Sequence, residues 1–296
     1  MPYQIIVLDM DGTLLDEYSR VSDRLKKYFM ELRASGKFIF IATGRTLKEV
    51  RDVWPHDLEV DGLVTANGMS VFVGQEQIVE HTLLPALVSE LVEKARNKGI
   101  YYEVHPNEGP SFALKQDKTY ICERITDPKP DTVEENEWLS RKMSVNERLD
   151  WLDRLHALNI LKVYFFSKNA ELINEWKMEL DNLKKQIAFT STSSSEHSVE
   201  VAVANVSKAT GIEHLLDKFG LSKDSIMAVG DGENDLSMFK LASYAVAMTN
   251  ASDFVKKHAD AITDYSYKED GLYHFLQKTF EPSEKSLFQE QDFVQN

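Results

Sequence analysis

The chain has one cysteine, Cys122, in 296 residues. No internal disulfide can form, which suits a reducing compartment and leaves stability to a packed core. No motif surrounds that thiol, and it reads as buried filler rather than as a nucleophile. Proline and glycine are sparse, at 8 and 13 residues, which excludes collagen-like and low-complexity classes. No segment approaches the roughly 18 to 20 apolar residues of a membrane span. The N-terminus shows no basic leader, since its apolar stretch runs straight into Asp9. A cytoplasmic protein is expected, with no membrane partner. Basic charge is also short: 34 Lys+Arg against 48 Asp+Glu give a formal net charge of -14. Nucleic acid calls for a basic surface and is excluded as a partner. A small anionic substrate remains compatible, because a local cationic site can override the global field.

Carboxylates are plentiful, and two clusters of them stand out. Asp9-Met10-Asp11-Gly12-Thr13 follows the apolar run Ile5-Ile6-Val7-Leu8, and Gly230-Asp231-Gly232-Glu233-Asn234-Asp235 follows Ser225-Ile226-Met227-Ala228-Val229. Each reads as a buried strand ending in an acidic turn. Crowded like charges repel in a partly desolvated cleft, so a cation is expected there. Oxygen ligands favour a hard divalent ion, most simply magnesium. A calcium loop would need Gly at its sixth position and a carboxylate at its twelfth. Counted from Asp9 those places hold Leu14 and Arg20; counted from Asp231, Leu236 and Ala242. The calcium-loop reading fails twice.

Both ends of the chain alternate strand and helix. Ser22 caps a helix with the apolar stripe Leu25, Tyr28, Phe29 and Leu32, and Gly36 stops it. Phe38 to Ala42 is a continuous apolar strand, and Thr46-Leu47-Lys48-Glu49 opens a helix with a capping box. A third strand, Gly62 to Ala66, ends at Asn67-Gly68, and a hairpin follows. This rhythm predicts a parallel sheet with crossover helices. From 83 to 190 the texture is mixed. A helix carries Leu84, Leu87, Val88, Leu91, Val92 and Ala95, and further helices are expected near Asn146 to Ala157 and Ala170 to Leu183. Strands are expected at Ile100 to His105, Ser111 to Leu114 and Ile160 to Ser167, and Thr126 to Glu137 reads as loop. Thr190 to Ser195 reads as a hinge, with a strand as the alternative. The rhythm resumes from Val199, with Ser207 capping a helix that Gly220 ends. The expected architecture is α/β: a Rossmann-like parallel-sheet core from 1–82 and 191–280, an inserted α/β cap at 83–190, and a tail at 281–296.

In an open parallel sheet, ligands bind beyond the carboxyl ends of the strands. Asp9, Asp11, Thr43, Gly44, Asp231, Asn234 and Asp235 all fall at such ends. The loop at Thr43 offers a hydroxyl and backbone N–H groups to an anion, and Lys208 adds a positive charge. Carboxylates, a divalent metal, a hydroxyl and a lysine around one cleft suit phosphoryl transfer. Asp9, fixed directly after its strand, is placed to attack phosphorus, and Asp11 to reach the leaving oxygen.

Asp9-Met10-Asp11-Gly12-Thr13, Ala42-Thr43-Gly44-Arg45, Lys208 and Gly230 to Asp235 resemble the four motifs of the haloacid dehalogenase superfamily. The insertion between the second and third motifs, with Asn67-Gly68 and Met248-Thr249-Asn250-Ala251, resembles the Cof-type branch with its large α/β cap. The resemblance implies a magnesium-dependent phosphatase. Asp9 would be the nucleophile that forms an aspartyl-phosphate, and Asp11 the general acid and then base. Met10, Thr43, Gly44, Lys208 and Asn234 would hold the phosphoryl group. Magnesium would bind the Asp9 and Asp231 carboxylates and the Asp11 backbone carbonyl, and Asp235 would support the lysine or a metal-bound water. Small phosphorylated metabolites are the expected substrates, such as sugar phosphates, flavin mononucleotide or pyridoxal phosphate. A hexose phosphomutase and a non-catalytic phosphometabolite sensor are the competing readings. Ala209 and Thr249 stand where the family often has glycine, so the loop at Thr249 is expected to differ locally. Tyr101-Tyr102 and Tyr164-Phe165-Phe166 read as core strands, and Glu134-Glu135 with Glu137 as a solvated acidic face. Arg45 reads equally as a substrate contact or a surface residue, and the histidines show no metal-ligand spacing.

Overall fold

The structure is a computed structural model that describes residues 3–193 and 195–280; the tail expected at 281–296 lies outside them. Its strands form two sheets. The first third supplies β1 (Ile5–Leu8), β2 (Phe38–Ala42), β3 (Gly62–Thr65), β4 (Ser70–Val73) and β5 (Glu76–Glu80). The middle supplies β6 (Tyr101–Pro106), β7 (Phe112–Leu114), β8 (Asp150–Leu152), β9 (Ile160–Phe166), β10 (Phe189–Thr192) and β11 (Ser198–Val203). The last third supplies β12 (Ile226–Gly230), β13 (Tyr244–Ala247) and β14 (Ala261–Ile262).

The first sheet runs β14-β13-β12-β1-β2-β3-β4-β5. It is parallel from β14 to β3 and antiparallel across the β4–β5 hairpin at its edge. Strands covered on both faces read as unbroken apolar runs, and every residue of β1 is buried. Alternation sends Ile6 and Leu8 to one face, against the helices Asp23–Ala34 and Gly271–Phe280. Ile5 and Val7 go to the other, against Lys208–Phe219 and Leu236–Leu241. The expected caps form: Ser22 accepts from the Leu25 N–H, and Thr46 and Glu49 close a reciprocal capping box. Thr249 does not take a left-handed backbone, so its side chain is accommodated without strain.

The second sheet runs β10-β11-β9-β6-β7-β8. This sheet departs from the sequence expectation. Thr190 to Thr192 is strand rather than hinge, and β11, expected with the returning core, pairs antiparallel with β9. An apolar alternation announces a strand but not the sheet that receives it. No helix covers Asn146 to Ala157. A helix instead spans Glu135–Met143, widens to a π turn at Ser144–Arg148, and yields to β8. The three- and four-residue spacing of Leu149, Leu152, Leu155 and His156 looks helical, but pairing of β8 with β7 overrides it. A helix also spans Lys118–Arg124, where the sequence shows no clear apolar period. Leu84 precedes its helix and is exposed, while Leu87, Val88, Leu91, Val92 and Ala95 are buried as expected. Tyr101, Tyr102, Phe165 and Phe166 are core. Glu137 is not a solvated residue: it is half-buried and accepts from the Tyr164 hydroxyl and Ser195.

Trp176, on the helix Ala170–Leu183, is fully buried edge-on to Phe165, with centroids 4.9 Å apart. Its indole N–H has no hydrogen-bond partner. Trp176→Ala is expected to cost about 3–5 kcal/mol of stability through the cavity it opens. Trp176→Phe keeps an aromatic ring, leaves a smaller cavity and removes the orphan donor, so it should cost less than Trp176→Ala. Urea unfolding of both variants checks this, and equal losses would contradict it.

Candidate active site

The carboxyl ends of β1 and β12 lie side by side, joined by the Asp9 N–H donating to the Val229 carbonyl at 3.0 Å. The turn after Asp9 closes tightly because of Gly12, whose φ is +74°. A Cβ at Gly12 would fall 2.2 Å from Asp231 Oδ2, so no larger residue lets the two acidic turns approach this closely. Thr13 donates to Asp231 Oδ1 at 3.1 Å, and Asn250 donates to Asp231 Oδ2 at 3.2 Å and to the Gly12 carbonyl at 2.9 Å.

Lys208 opens the helix Lys208–Phe219, and its side chain is entirely removed from solvent. Its ammonium donates to Asp9 Oδ1 and, at 2.6 Å, to Asp235 Oδ1. Burial opposes its charge, but Asp235 and Asp9 overcome that and hold the ammonium above its ordinary pKa. Asp235 is fully used: its second oxygen accepts from the Asp231 and Gly232 N–H groups, both at 2.9 Å. It therefore aims the lysine and the turn rather than offering a free ligand atom.

Asp9, Asp231 and Asp235 each present an oxygen within 4.8 Å of the others. Burial pushes the Asp9 carboxyl up to about 7; Lys208 pulls against this, while Asp235 and Asp11 reinforce it. Burial, then Asp9 and Asp235, drive Asp231 well above the carboxylate range. One lysine thus does not neutralise the cluster. The remaining donors are all carboxylate oxygen, which fits a hard divalent cation.

Around this cluster the structure gathers the other residues expected from sequence. Asp11 is half-exposed and grips Arg45 through two bonds, Nε to Oδ2 at 2.8 Å and Nη2 to Oδ1 at 2.7 Å. Thr43 is buried; its hydroxyl accepts from the Arg45 N–H and its carbonyl from the Asn67 N–H. A methyl on Gly44 would lie 3.3 Å from Asn67 Nδ2 and 3.7 Å from Asn234 Nδ2. Asn234 donates to Asn67 Oδ1 at 3.1 Å. Met10 is fully buried, so only its backbone can serve a ligand. Arg45, left undecided from sequence, is thus the partner of Asp11. Thr13 and Asn250 were visible in the motifs but their contacts with Asp231 were not, because those contacts join turns far apart in the chain.

A parallel sheet with carboxylates and one buried lysine at its carboxyl edge defines a Rossmann-like α/β enzyme. The chain belongs to the haloacid dehalogenase-like hydrolases, whose family model matches residues 6–276. It is 31% identical to the 5-amino-6-(5-phospho-D-ribitylamino)uracil phosphatase YcsE of Bacillus subtilis, over 91% of this chain and 92% of that protein. A haloacid dehalogenase-like hydrolase from B. subtilis superposes with a TM-score of 0.78, covering 93% of this chain and 99% of the other at 20% identity, a likeness of fold. The phosphatase-superfamily member BT1666 from Bacteroides thetaiotaomicron shares 28% identity at a TM-score of 0.69, over 93% and 94% of the two chains. The chain is a phosphatase. Among the described residues no helix is long and apolar enough to cross a membrane.

The folded chain holds the Asp9 proton more tightly than the unfolded chain does. The contribution of Asp9 to stability is therefore fullest below the ordinary carboxylate range and is lost as pH rises toward about 7. In chelator, Asp9→Asn should melt above the wild type, with a gap that widens between pH 5 and pH 8. A gap that is constant with pH would contradict this.

Proposed function

We infer that the chain hydrolyses phosphate monoesters of small metabolites with magnesium, through an aspartyl-phosphate on Asp9. The observation that carries this reading is the pairing of Asp9 Oδ1 with buried Lys208, while no described residue donates to the second Asp9 oxygen. That second oxygen is the nucleophile. It attacks phosphorus, the ester oxygen departs, and Asp11 gives that oxygen a proton. Asp11 then removes a proton from water, which attacks the phosphorus and restores the Asp9 carboxylate with release of inorganic phosphate. Arg45 grips both oxygens of the Asp11 carboxylate and so fixes its orientation.

Thr43, Gly44, Asn234, Lys208 and the Met10 backbone cradle the phosphoryl oxygens. Magnesium would be held by the Asp9 and Asp231 carboxylates and the Asp11 carbonyl; when bound it neutralises charge that develops on the phosphoryl group. Asp235 fixes the lysine. The unit built on the second sheet, from about residue 83 and reaching to β11, serves as the cap that excludes water and selects the leaving group.

The relative at 31% identity is named for a phosphorylated ribitylaminouracil, and a phosphate on a polyhydroxy chain is the substrate class we favour. A hexose phosphomutase would need a second anion site in the cap. The buried cations there, Arg141 and Lys162, already carry Glu103 and Glu200 as partners. A sensor would be expected to lack Asp9 or Asp11, and this chain has both.

Phosphate release should be measured from ribitylaminouracil phosphate, sugar phosphates, flavin mononucleotide and pyridoxal phosphate. Release should require magnesium and fall at least about 1,000-fold in Asp9→Asn. Turnover that survives either chelator or Asp9→Asn would overturn the reading.

A further inference from the structure

The second sheet sends a line of buried polar side chains toward the phosphate-holding loops. Strands β6 and β9 read apolar but carry Glu103 and His105 on one, and Lys162 and Tyr164 on the other. The register pairs Glu103 with Tyr164 and His105 with Lys162, and it pairs Glu200 of β11 with Tyr164. Period-two alternation puts all five on one face. Lys162 and Glu200 are diagonal neighbours there, near enough to meet.

Lys162 is only 4% exposed, yet its bonding reaches beyond its own sheet. Its ammonium donates to Glu200 Oε1 at 2.7 Å and, across the gap between the sheets, to the Gly44 carbonyl at 2.6 Å. The other Glu200 oxygen accepts from Asn67 Nδ2 at 2.9 Å, and Asn67 in turn accepts from Asn234. One unbroken chain of hydrogen bonds therefore runs Gly44, Lys162, Glu200, Asn67, Asn234. Both of its ends are residues that the proposed function assigns to the phosphoryl group.

The link in the middle is strained. Ala66, Asn67 and Gly68 have φ of 47°, 55° and 103°, three left-handed residues in succession. Each non-glycine residue there costs about 1–3 kcal/mol and persists only where its surroundings impose it. The surroundings are the Arg45 and Thr43 carbonyls, which accept from the Ala66 and Asn67 N–H groups, and the Glu200 carboxylate on the Asn67 amide. A Cβ at Gly68 would fall 2.2 Å from the Ser207 carbonyl, so this turn also abuts the start of the helix that bears Lys208.

We propose that Lys162 and Glu200 are a positioning pair: docking of the second sheet fixes the Gly44 carbonyl and the Asn67–Asn234 amides in the geometry that binds the transferring phosphoryl group. The inference rests on the proposed function. It differs from a leaving-group contact in one measurable respect. A pair that shapes the cradle acts on every ester alike, whereas a substrate contact acts only on esters with groups to touch.

The test compares Lys162→Met, Glu200→Gln and the double variant in the full chain with magnesium. Lys162→Met alone leaves the Glu200 carboxylate buried and unpaired, which can unfold the chain. The double variant removes both charges and serves as the folded comparison. With p-nitrophenyl phosphate and with flavin mononucleotide, kcat/KM of the double variant should fall about 10- to 100-fold by the same factor. Inhibition by orthovanadate should weaken in parallel. Lys162→Arg should recover part of the loss. The inference is overturned if the double variant stays within twofold of wild type on both esters. It is equally overturned if only the larger ester suffers, or if rates fall while vanadate inhibition is unchanged. Asp9→Asn separates the two readings: residual turnover there defeats the proposed function, whereas an inactive Asp9→Asn beside unimpaired Lys162 and Glu200 variants defeats the positioning pair alone.

Discussion

The structure turns on a buried ammonium. Lys208 has no contact with water and lies between Asp9 and Asp235. Removing the lysine from such a cluster typically costs about 3–5 kcal/mol, because its carboxylates are left buried and unpaired. The cost explains why so much local structure converges on this residue. Ser207 caps its helix, Gly68 abuts Ser207, and Asp235 is clamped by the N–H groups of Asp231 and Gly232. The lysine pairs with Asp9 and Asp235 and leaves Asp231 to its own partners, Thr13 and Asn250.

A parallel sheet is what allows the arrangement. Strands β1 and β12 are more than two hundred residues apart in the chain, yet they are neighbours with their carboxyl ends level. Two turns that are each unremarkable alone thereby meet. Gly12 lets them meet closely, and Thr13 and Asn250 tie Asp231 to the first turn. Opposite them the second sheet contributes paired charges: Glu103 with Arg141 of the helix Glu135–Met143, and Lys162 with Glu200. Burial alone would raise Glu49, but Lys162 and His105 outweigh it and hold this carboxylate well below its ordinary range. The space between the sheets is thus polar and buried, and in it Arg141 Nε and His105 Nε2 have no hydrogen-bond partner.

Much of this was legible in the sequence, for reasons that are local. The caps at Ser22, Thr46 and Ser207 are read from neighbours within three residues, and all three formed. The acidic turns follow uninterrupted apolar strands, which points to Asp9, Asp231 and Asp235, and the helix start after Val199 to Ala204 points to Lys208. What was missed depends on contacts across the fold. Trp151 and Leu152 belong to a strand only because β7 receives them. Glu200 sits in an ordinary alternating strand, and nothing near it in sequence announces Asn67 or Lys162. Arg45 was ambiguous because its role is set by Asp11, which lies on another strand's turn.

The most direct measurement is the covalent state of Asp9 during turnover. The phosphatase should be mixed with flavin mononucleotide and magnesium, quenched in acid within milliseconds, and digested for mass spectrometry. The account predicts a phosphoryl group on the peptide that contains Asp9, absent when Asp9 is replaced by asparagine. A phosphoryl group on another residue, or phosphate released with no covalent phosphoryl at any quench time, would contradict it.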